Sequence, residues 1–416
     1  MRRLVAVIAI VLALAGIGVA VWVLAMPGGR AAYNVVEYRV RRLLPAETAA
    51  VSGALAGRIT ADDRRPVPGA FALVATDRGV VFQGDAGAEG FYHIANVPAG
   101  TYVPLAAAWG YAPERAAGGS LVPVRAHGVT TGVHFHLSPE TPYHPVLGEP
   151  TIGPVETVTG TFPGPVTATR VHIAVEHAGL MLTNAFLYEP PGSERLPALL
   201  LVFPTPAAGW EPISVALANE GFVVLAVGPA AERGLDIEAH VRDLIAEATL
   251  LFGGQLTSRA DPTRVGALAG SFSSVLLFRA LHDLPPLRAV VTMGGVSDGF
   301  LGYQALFREH LEIPPPYDTF VASLGRPDRH PEVYLRYSPA FFAEHLPPTL
   351  IIHTRTDRVV PVDQAYRFAQ ALERAGTPHE LVIYADISHY LDPDHPTDET
   401  RRVYDVTVRF LKRTVN

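Results

Sequence analysis

The sequence predicts an α/β protein: a mostly parallel sheet with helices on both faces, preceded by a smaller β-sandwich and one N-terminal transmembrane helix. Three observations carry this. From about residue 171, apolar runs of strand length alternate with amphipathic runs of helix length, the pattern of a sheet covered on both sides. Between about residues 50 and 138 there are only short β-type runs separated by turn residues. Residues 4–26 hold no charge; as a helix they are about 34 Å long, against about 30 Å of membrane hydrocarbon.

The chain has 416 residues, enough for two or three domains, and 49% are hydrophobic, enough for a sizeable core. A formal net charge of -7 gives no basic excess for phosphate contacts, so nucleic acid is not an expected partner. The absence of Cys excludes disulfides, thiolate metal sites and a Cys nucleophile. Lys412 is the one lysine among 33 basic residues, which reads as coding bias.

Residues 1–30 are expected to form an uncleaved anchor. The apolar run is longer than a signal peptide needs, and Gly18-Val19-Ala20, the candidate cleavage site for the alternative of a cleaved signal, lies inside it. Arg2 and Arg3 precede the span, while Arg30, Arg39, Arg41 and Arg42 follow it, so charge does not fix the orientation. The folded mass follows the span, and its expected place is outside the cytoplasm. Residues 31–49 place Tyr33, Val36, Val40, Leu43 and Leu44 at helical spacing, giving either a helix lying in the lipid interface or one packed on the next domain.

In residues 50–138, runs such as GALAGRIT, AFALVATD and GFYHIANV suggest seven or so short strands and a β-sandwich. Gly57-Arg58-Ile59, Pro68-Gly69-Ala70, Gly90-Phe91-Tyr92, Pro98-Ala99-Gly100-Thr101-Tyr102 and Gly110-Tyr111 follow one another along the segment. This succession resembles the carboxypeptidase regulatory-like domain, a transthyretin-like sandwich, and implies a binding or spacing module without chemistry of its own. His134 and His136 share a strand face but lack a third ligand, and read as solvent-facing. Residues 139–170, with seven Pro and four Gly up to Arg170, read as a stiff, irregular connection.

In residues 171–416 the chemistry concentrates at three strand ends. The run RVGALAG stops at Ser271 and a helix follows directly. A tight strand-to-helix turn lifts a hydroxyl above the sheet, and the helix N-terminus favours developing negative charge. Asp357 lies just past the strand PTLIIHT, in a polar turn before the helix of residues 361–375; there a carboxylate can orient an imidazole. His389 lies a few residues past the strand HELVIYAD. Ser273 and Ser274 are rival hydroxyls but fall inside the helix.

The order Ser271, Asp357, His389 and the alternating texture resemble an α/β-hydrolase of the dienelactone hydrolase and prolyl oligopeptidase kind, over residues 171–416. Tyr337-Ser338-Pro339, ahead of the acid strand, is similar to the Ser-Pro of prolyl oligopeptidase relatives. The resemblance implies Ser271 as nucleophile, His389 as base and Asp357 as acid. It also implies hydrolysis of an ester or peptide bond in a small-molecule substrate through an acyl-enzyme, with no cofactor and no metal. Two positions depart from the family pattern. Ala269-Gly270-Ser271-Phe272-Ser273 stands where Gly-x-Ser-x-Gly is usual, and Phe203-Pro204 stands where His-Gly commonly follows the oxyanion strand. An oxyanion hole needs two N–H donors. Phe272, next after the nucleophile, is one candidate; Thr205 is the other, because Pro204 and Pro206 have no N–H.

Residues 296–345, rich in Tyr, Phe and Pro, are expected to cap the site and help form its pocket. His172, Glu176 and His177 read as strand residues, His353 as a strand-end residue, and Asp392, Asp394 and His395 as a solvated loop. The competing reading is a non-catalytic cell-envelope binding protein on a degenerate hydrolase fold, which Phe203-Pro204 favours and the intact trio opposes. Among catalytic readings an esterase is preferred, because no β-propeller precedes the hydrolase segment. The sequence does not fix the oligomeric state.

Overall fold

The computed structural model describes residues 29–44, 51–307, 317–385, 389 and 395–415. The expected span at residues 4–26 lies outside the described residues, among which no helix is long and apolar enough to cross a membrane. The chain divides into two compact units. Among the described residues, one comprises those up to Ser138 together with most of 300–334, and the other comprises the rest.

The first unit begins with α1 (Gly29–Arg42) and continues through ten short strands: β1 (Ser52–Ala61), β2 (Phe71–Ala75), β3 (Val81–Asp85), β4 (Phe91–Pro98), β5 (Gly100–Tyr102), β6 (Leu105–Ala107), β7 (Glu114–Arg115), β8 (Val122–Val124), β9 (Val129–Thr130) and β10 (Phe135–Leu137). One sheet joins β4, β1, β10 and β9, a second runs β3-β2-β6-β7, and β5 pairs with β8. Leu55, Ile59, Ile94 and Phe135 from the first sheet share a buried core with Ala72, Val74 and Ala106 from the second. Gly57 is required by close approach, since a Cβ there would lie 1.7 Å from the Val133 carbonyl oxygen. His134 and His136 are exposed and satisfied locally: His134 Nδ1 accepts from Arg58 N–H, and His136 Nδ1 lies 2.9 Å from the Thr60 hydroxyl. No group of three or more metal-ligating side chains occurs among the described residues.

Helix α1 has two dissimilar faces. Tyr38 is buried and donates to the Leu306 carbonyl, Asn34 donates to the Ser323 carbonyl, and Glu37 pairs with Arg326. Tyr33, Val36 and Val40 are exposed, as are Leu43 and Leu44 just beyond the helix. The helix thus packs on the 300–334 segment while leaving an apolar stripe to solvent.

The second unit is built on one ten-stranded sheet: β11 (Thr151–Ile152), β12 (Glu156–Gly160), β13 (Val166–His177), β14 (Leu180–Glu189), β15 (Leu196–Val202), β16 (Val223–Val227), β17 (Ala260–Gly270), β18 (Ala289–Met293), β19 (Thr349–Thr354) and β20 (His379–Tyr384). From β13 the order is β13-β14-β16-β15-β17-β18-β19-β20, with β11 and β12 both pairing β13. Pairing is antiparallel up to β14–β16 and parallel from β16 onward. The antiparallel edge starts inside the stretch read as an irregular connection: Glu156–Gly160 pairs residue by residue with Val166–Arg170. Its largely exposed residues leave no apolar alternation to betray the strand.

The helices are α2 (Glu211–Asn219), α3 (Ile237–Phe252), α4 (Ser273–Ala280), α5 (Gly299–Ala305), α6 (Tyr317–Ser323), α7 (Pro331–Leu335), α8 (Asp363–Ala375) and α9 (Asp398–Val415). Asp236 caps α3 by accepting from the Ala239 N–H, which fixes its start. Gly376, at φ +71°, ends α8 as its position after the apolar stripe predicts. Leu199, Leu201, Val224, Val291 and Leu350 of the sheet are buried with Val215 of α2 and Tyr404 and Leu411 of α9. Because the chain passes from β15 out to β16 and returns to β17 on the other side of β15, a crevice opens at the carboxyl ends of β15 and β17.

Candidate active site

Ser271 occupies that crevice, between β17 and α4. Its φ is +54°, a left-handed conformation that L residues other than Gly, Asn and Asp seldom adopt. The turn is held from two sides. The Ser271 N–H donates to the Met293 carbonyl of β18 at 2.8 Å. Ser273 Oγ lies 2.5 Å from the Val202 carbonyl oxygen and 2.7 Å from that of Gly270. Ser273, where a second glycine is usual, is therefore a brace between the turn and β15. Ser273 and Ser274 are fully buried, and Ser274 Oγ is 3.0 Å from Thr292 Oγ1. Of the three neighbouring hydroxyls, Ser271 is the one beside the imidazole.

His389 Nε2 lies 2.7 Å from Ser271 Oγ, and His389 Nδ1 lies 2.7 Å from Asp357 Oδ2. The Asp357 side chain is fully shielded from solvent and that of His389 is 3% exposed. Asp357 Oδ1 accepts from the Val359 and Val360 N–H groups, both at 2.8 Å. A second imidazole, His353 at the end of β19, places Nε2 2.8 Å from the Val360 carbonyl oxygen and 3.4 Å from Asp357 Oδ2. Burial pushes the Asp357 carboxyl up, but hydrogen bonding to His353, to His389 and to the Val360 N–H outweighs it. The group is held far below the ordinary carboxylate range. A carboxylate so fixed keeps the His389 proton on Nδ1 and turns the Nε2 lone pair to the hydroxyl.

Gly294, just past β18, makes room for this pair. Its φ is +57°, and a Cβ there would lie 3.2 Å from His389 Cε1 and 3.5 Å from Asp357 Oδ2. We expect Gly294→Ala to cost about 1–2 kcal/mol in stability through the left-handed backbone. Displacement of the imidazole should lower kcat by about 10–100-fold. Urea unfolding and ester hydrolysis measure the two effects separately.

A cavity of about 80 Å³ adjoins Ser271 and His389. Its walls are apolar: Phe162 from the β12–β13 turn, Phe203 and Trp210 after β15, Leu268 of β17, and Val403 and Tyr404 of α9. The Trp210 ring stacks on Phe203 with centroids 5.0 Å apart, and its indole N–H donates to Thr205 Oγ1 at 2.7 Å. Thr205 thus stands in the loop after β15, with its side chain turned to Trp210. Phe272 directly follows Ser271 at the N-terminal end of α4. Among the described residues, none of the 296–345 segment, which was expected to shape the pocket, lines this cavity. Most of residues 300–334 belong to the N-terminal unit instead. Ser338 has a definite role at the root of this insertion, where its hydroxyl accepts from the Gly299 N–H. Asp392 and Asp394 lie outside the described residues.

Sequence reasoning brought Ser271, Asp357 and His389 forward, but missed the contact of His353 with Asp357 and the pocket face of α9. Thr400, Val403, Tyr404 and Thr407 follow one helical stripe. That spacing signals a buried face without distinguishing core from cavity wall.

Residues 238–415, which contain Ser271, Asp357 and His389, match the prolyl oligopeptidase family (Peptidase_S9). The chain is a serine hydrolase. No curated protein sequence matches it. Among solved structures it is similar to the Pyrococcus horikoshii acylaminoacyl peptidase. That match has 16% identity and a TM-score of 0.51, and covers 83% of this chain and 63% of that one. It is also similar to carboxyl esterase 2 from the mycorrhizal fungus Tuber melanosporum, with 16% identity and a TM-score of 0.46 over 64% of this chain and 87% of that one. The second unit has the α/β-hydrolase fold.

Proposed function

We propose that this serine hydrolase is membrane-anchored and cleaves short-chain carboxylic esters, or a peptide bond, through an acyl-enzyme on Ser271. His389 Nε2 takes the Ser271 proton as Oγ attacks the carbonyl carbon. Asp357 holds the imidazole and stabilises its charged form. The Phe272 and Thr205 N–H groups receive the developing oxyanion. The protonated His389 gives its proton to the leaving group. A water deprotonated by the same nitrogen then releases the acid and restores Ser271.

The observation that carries this reading is the 2.7 Å approach of His389 Nε2 to the Oγ of a serine held at φ +54°. The small apolar cavity supports a short acyl group and favours the esterase. A fluorophosphonate probe tests the assignment. Labelling of the wild-type chain that disappears in Ser271→Ala is the expected result, and a folded wild type that resists the probe rules the acyl-enzyme out. Replacing Thr205 by Pro removes its N–H. It should lower kcat by about 10²–10³-fold, the usual effect of deleting one oxyanion donor, with Thr205→Ala as the control that keeps the N–H.

The anchor reading is supported by the uncharged run of residues 4–26 and by the exposed stripe of Tyr33, Val36 and Val40 directly after it. The hydrolase then sits outside the cytoplasm, and the carboxypeptidase regulatory-like sandwich serves as a spacer or binding module. Recovery in the membrane fraction, release by detergent and not by salt, and cleavage by protease added to intact cells are the expected results.

A further inference from the structure

A second cavity, of about 270 Å³, lies at the carboxyl ends of β15 and β16 and shares Phe203 with the acyl pocket. Helix α3 presents His240, Asp243 and Glu247 to it, three positions on one helical face. Two polar groups on its walls are already satisfied. Asp243 accepts from Arg233 through both oxygens, at 2.8 and 2.9 Å, and its Oδ1 lies 2.6 Å from His177 Nδ1. Asn184 donates to the Pro229 carbonyl and accepts from the Ala207 N–H.

Glu247 is different. It is 4% exposed and makes no hydrogen bond or ion pair with any described residue. His240, 7% exposed, has Nε2 3.0 Å from the Gly234 carbonyl and therefore carries its proton there; Nδ1 is left as a buried acceptor without a partner. Burial, and then the charge of Asp243, push the Glu247 carboxyl well above the ordinary range. The Glu247 carboxyl lines the cavity without a protein donor, so a cationic donor entering there would pair with it.

We propose that this cavity binds a primary ammonium group, which draws the Glu247 carboxyl to its charged form as counter-ion, the carboxyl proton leaving to solvent, with an alkyl stem along Leu244 and Leu276. An ammonium offers three N–H donors in a compact group, suited to a lone carboxylate. The assignment does not rest on the role of Ser271.

Calorimetric titration of the full chain with n-butylammonium, and with 1-butanol as the neutral analogue, is the test. Saturable binding of butylammonium is expected. Glu247→Gln should weaken it about 10–100-fold, the loss of one charge-assisted hydrogen bond, while butanol changes little. Leu244→Phe, which fills the cavity and leaves Glu247 in place, should also block binding and guards against misfolding of the first variant. No saturable binding to the wild type, or equal affinity in Glu247→Gln, overturns the proposal. If butylammonium raises KM for p-nitrophenyl butyrate at constant kcat, the ammonium belongs to the substrate. If it binds and leaves both constants alone, the ligand is a free amine.

Discussion

Ser271→Ala lowers turnover of a short-chain ester by about 10⁴–10⁶-fold, the range found when triads are dissected. No neighbouring hydroxyl rescues it. Ser273 Oγ is committed to the Val202 and Gly270 carbonyls and Ser274 Oγ to Thr292, and both are buried. Stability should move the other way if the side chain is removed fully. At φ +54° a Cβ is strained, so Ser271→Gly should be more stable than Ser271→Ala by about 1 kcal/mol. Equal unfolding midpoints for the two variants would argue against a strained turn. Residual turnover within about tenfold of wild type would remove Ser271 from the chemistry.

Asp357→Asn is expected to lower kcat by about 10⁴-fold with little change in fold. The Asn carbonyl can still accept from the Val359 and Val360 N–H groups, so the loop keeps its anchor. Its amide nitrogen then faces His389 Nδ1 and donates, which drives the ring proton to Nε2. An imidazole protonated there cannot accept from Ser271. A KM close to wild type with collapsed kcat is the signature, because the carboxylate touches the base and not the acyl pocket. The acid side of the stability curve supplies a second readout. Asp357 titrates lower in the folded state than in the unfolded chain. Its contribution is therefore complete above the unfolded carboxylate value of about 4 and is lost as the pH falls through the folded value. Urea unfolding of Asp357→Asn should show a shallower loss of stability across that acid window than the wild type. An identical slope would mean that the carboxylate gains nothing from its hydrogen bonds.

The site was legible in the sequence because each member of the trio follows a continuous apolar run. In a parallel sheet such runs end on one rim, so Ser271, Asp357 and His389 meet although they are far apart in the chain. The glycine substitution at Ser273 was not interpretable until the Val202 carbonyl was seen beside its hydroxyl. His353 and Asp357 are four residues apart across a turn, and only the curvature of that turn brings them together. The β12–β13 hairpin escaped notice because Val158 is the one large apolar residue of β12, too little to make an alternation. The allegiance of most of residues 300–334 rests on partners far away in the chain: Phe307 packs against Tyr38, Gln304 donates to the Gly79 carbonyl, and the Asp328 carbonyl accepts from the Val103 N–H. No pattern within the insertion encodes those partners.

That allegiance makes the polypeptide indivisible at Ser138. A fragment beginning at Pro139 would keep the excursion between Gly299 and Leu335 while discarding the surface that shelters it. The rings of Phe300 and Tyr303, which meet Tyr334 in tilted and edge-on contacts in the intact protein, would be left on a stump without the partners that cover it. Exchanging the leading module for another, as is done with proteins strung like beads, would therefore yield insoluble material unless residues 300–334 were exchanged with it.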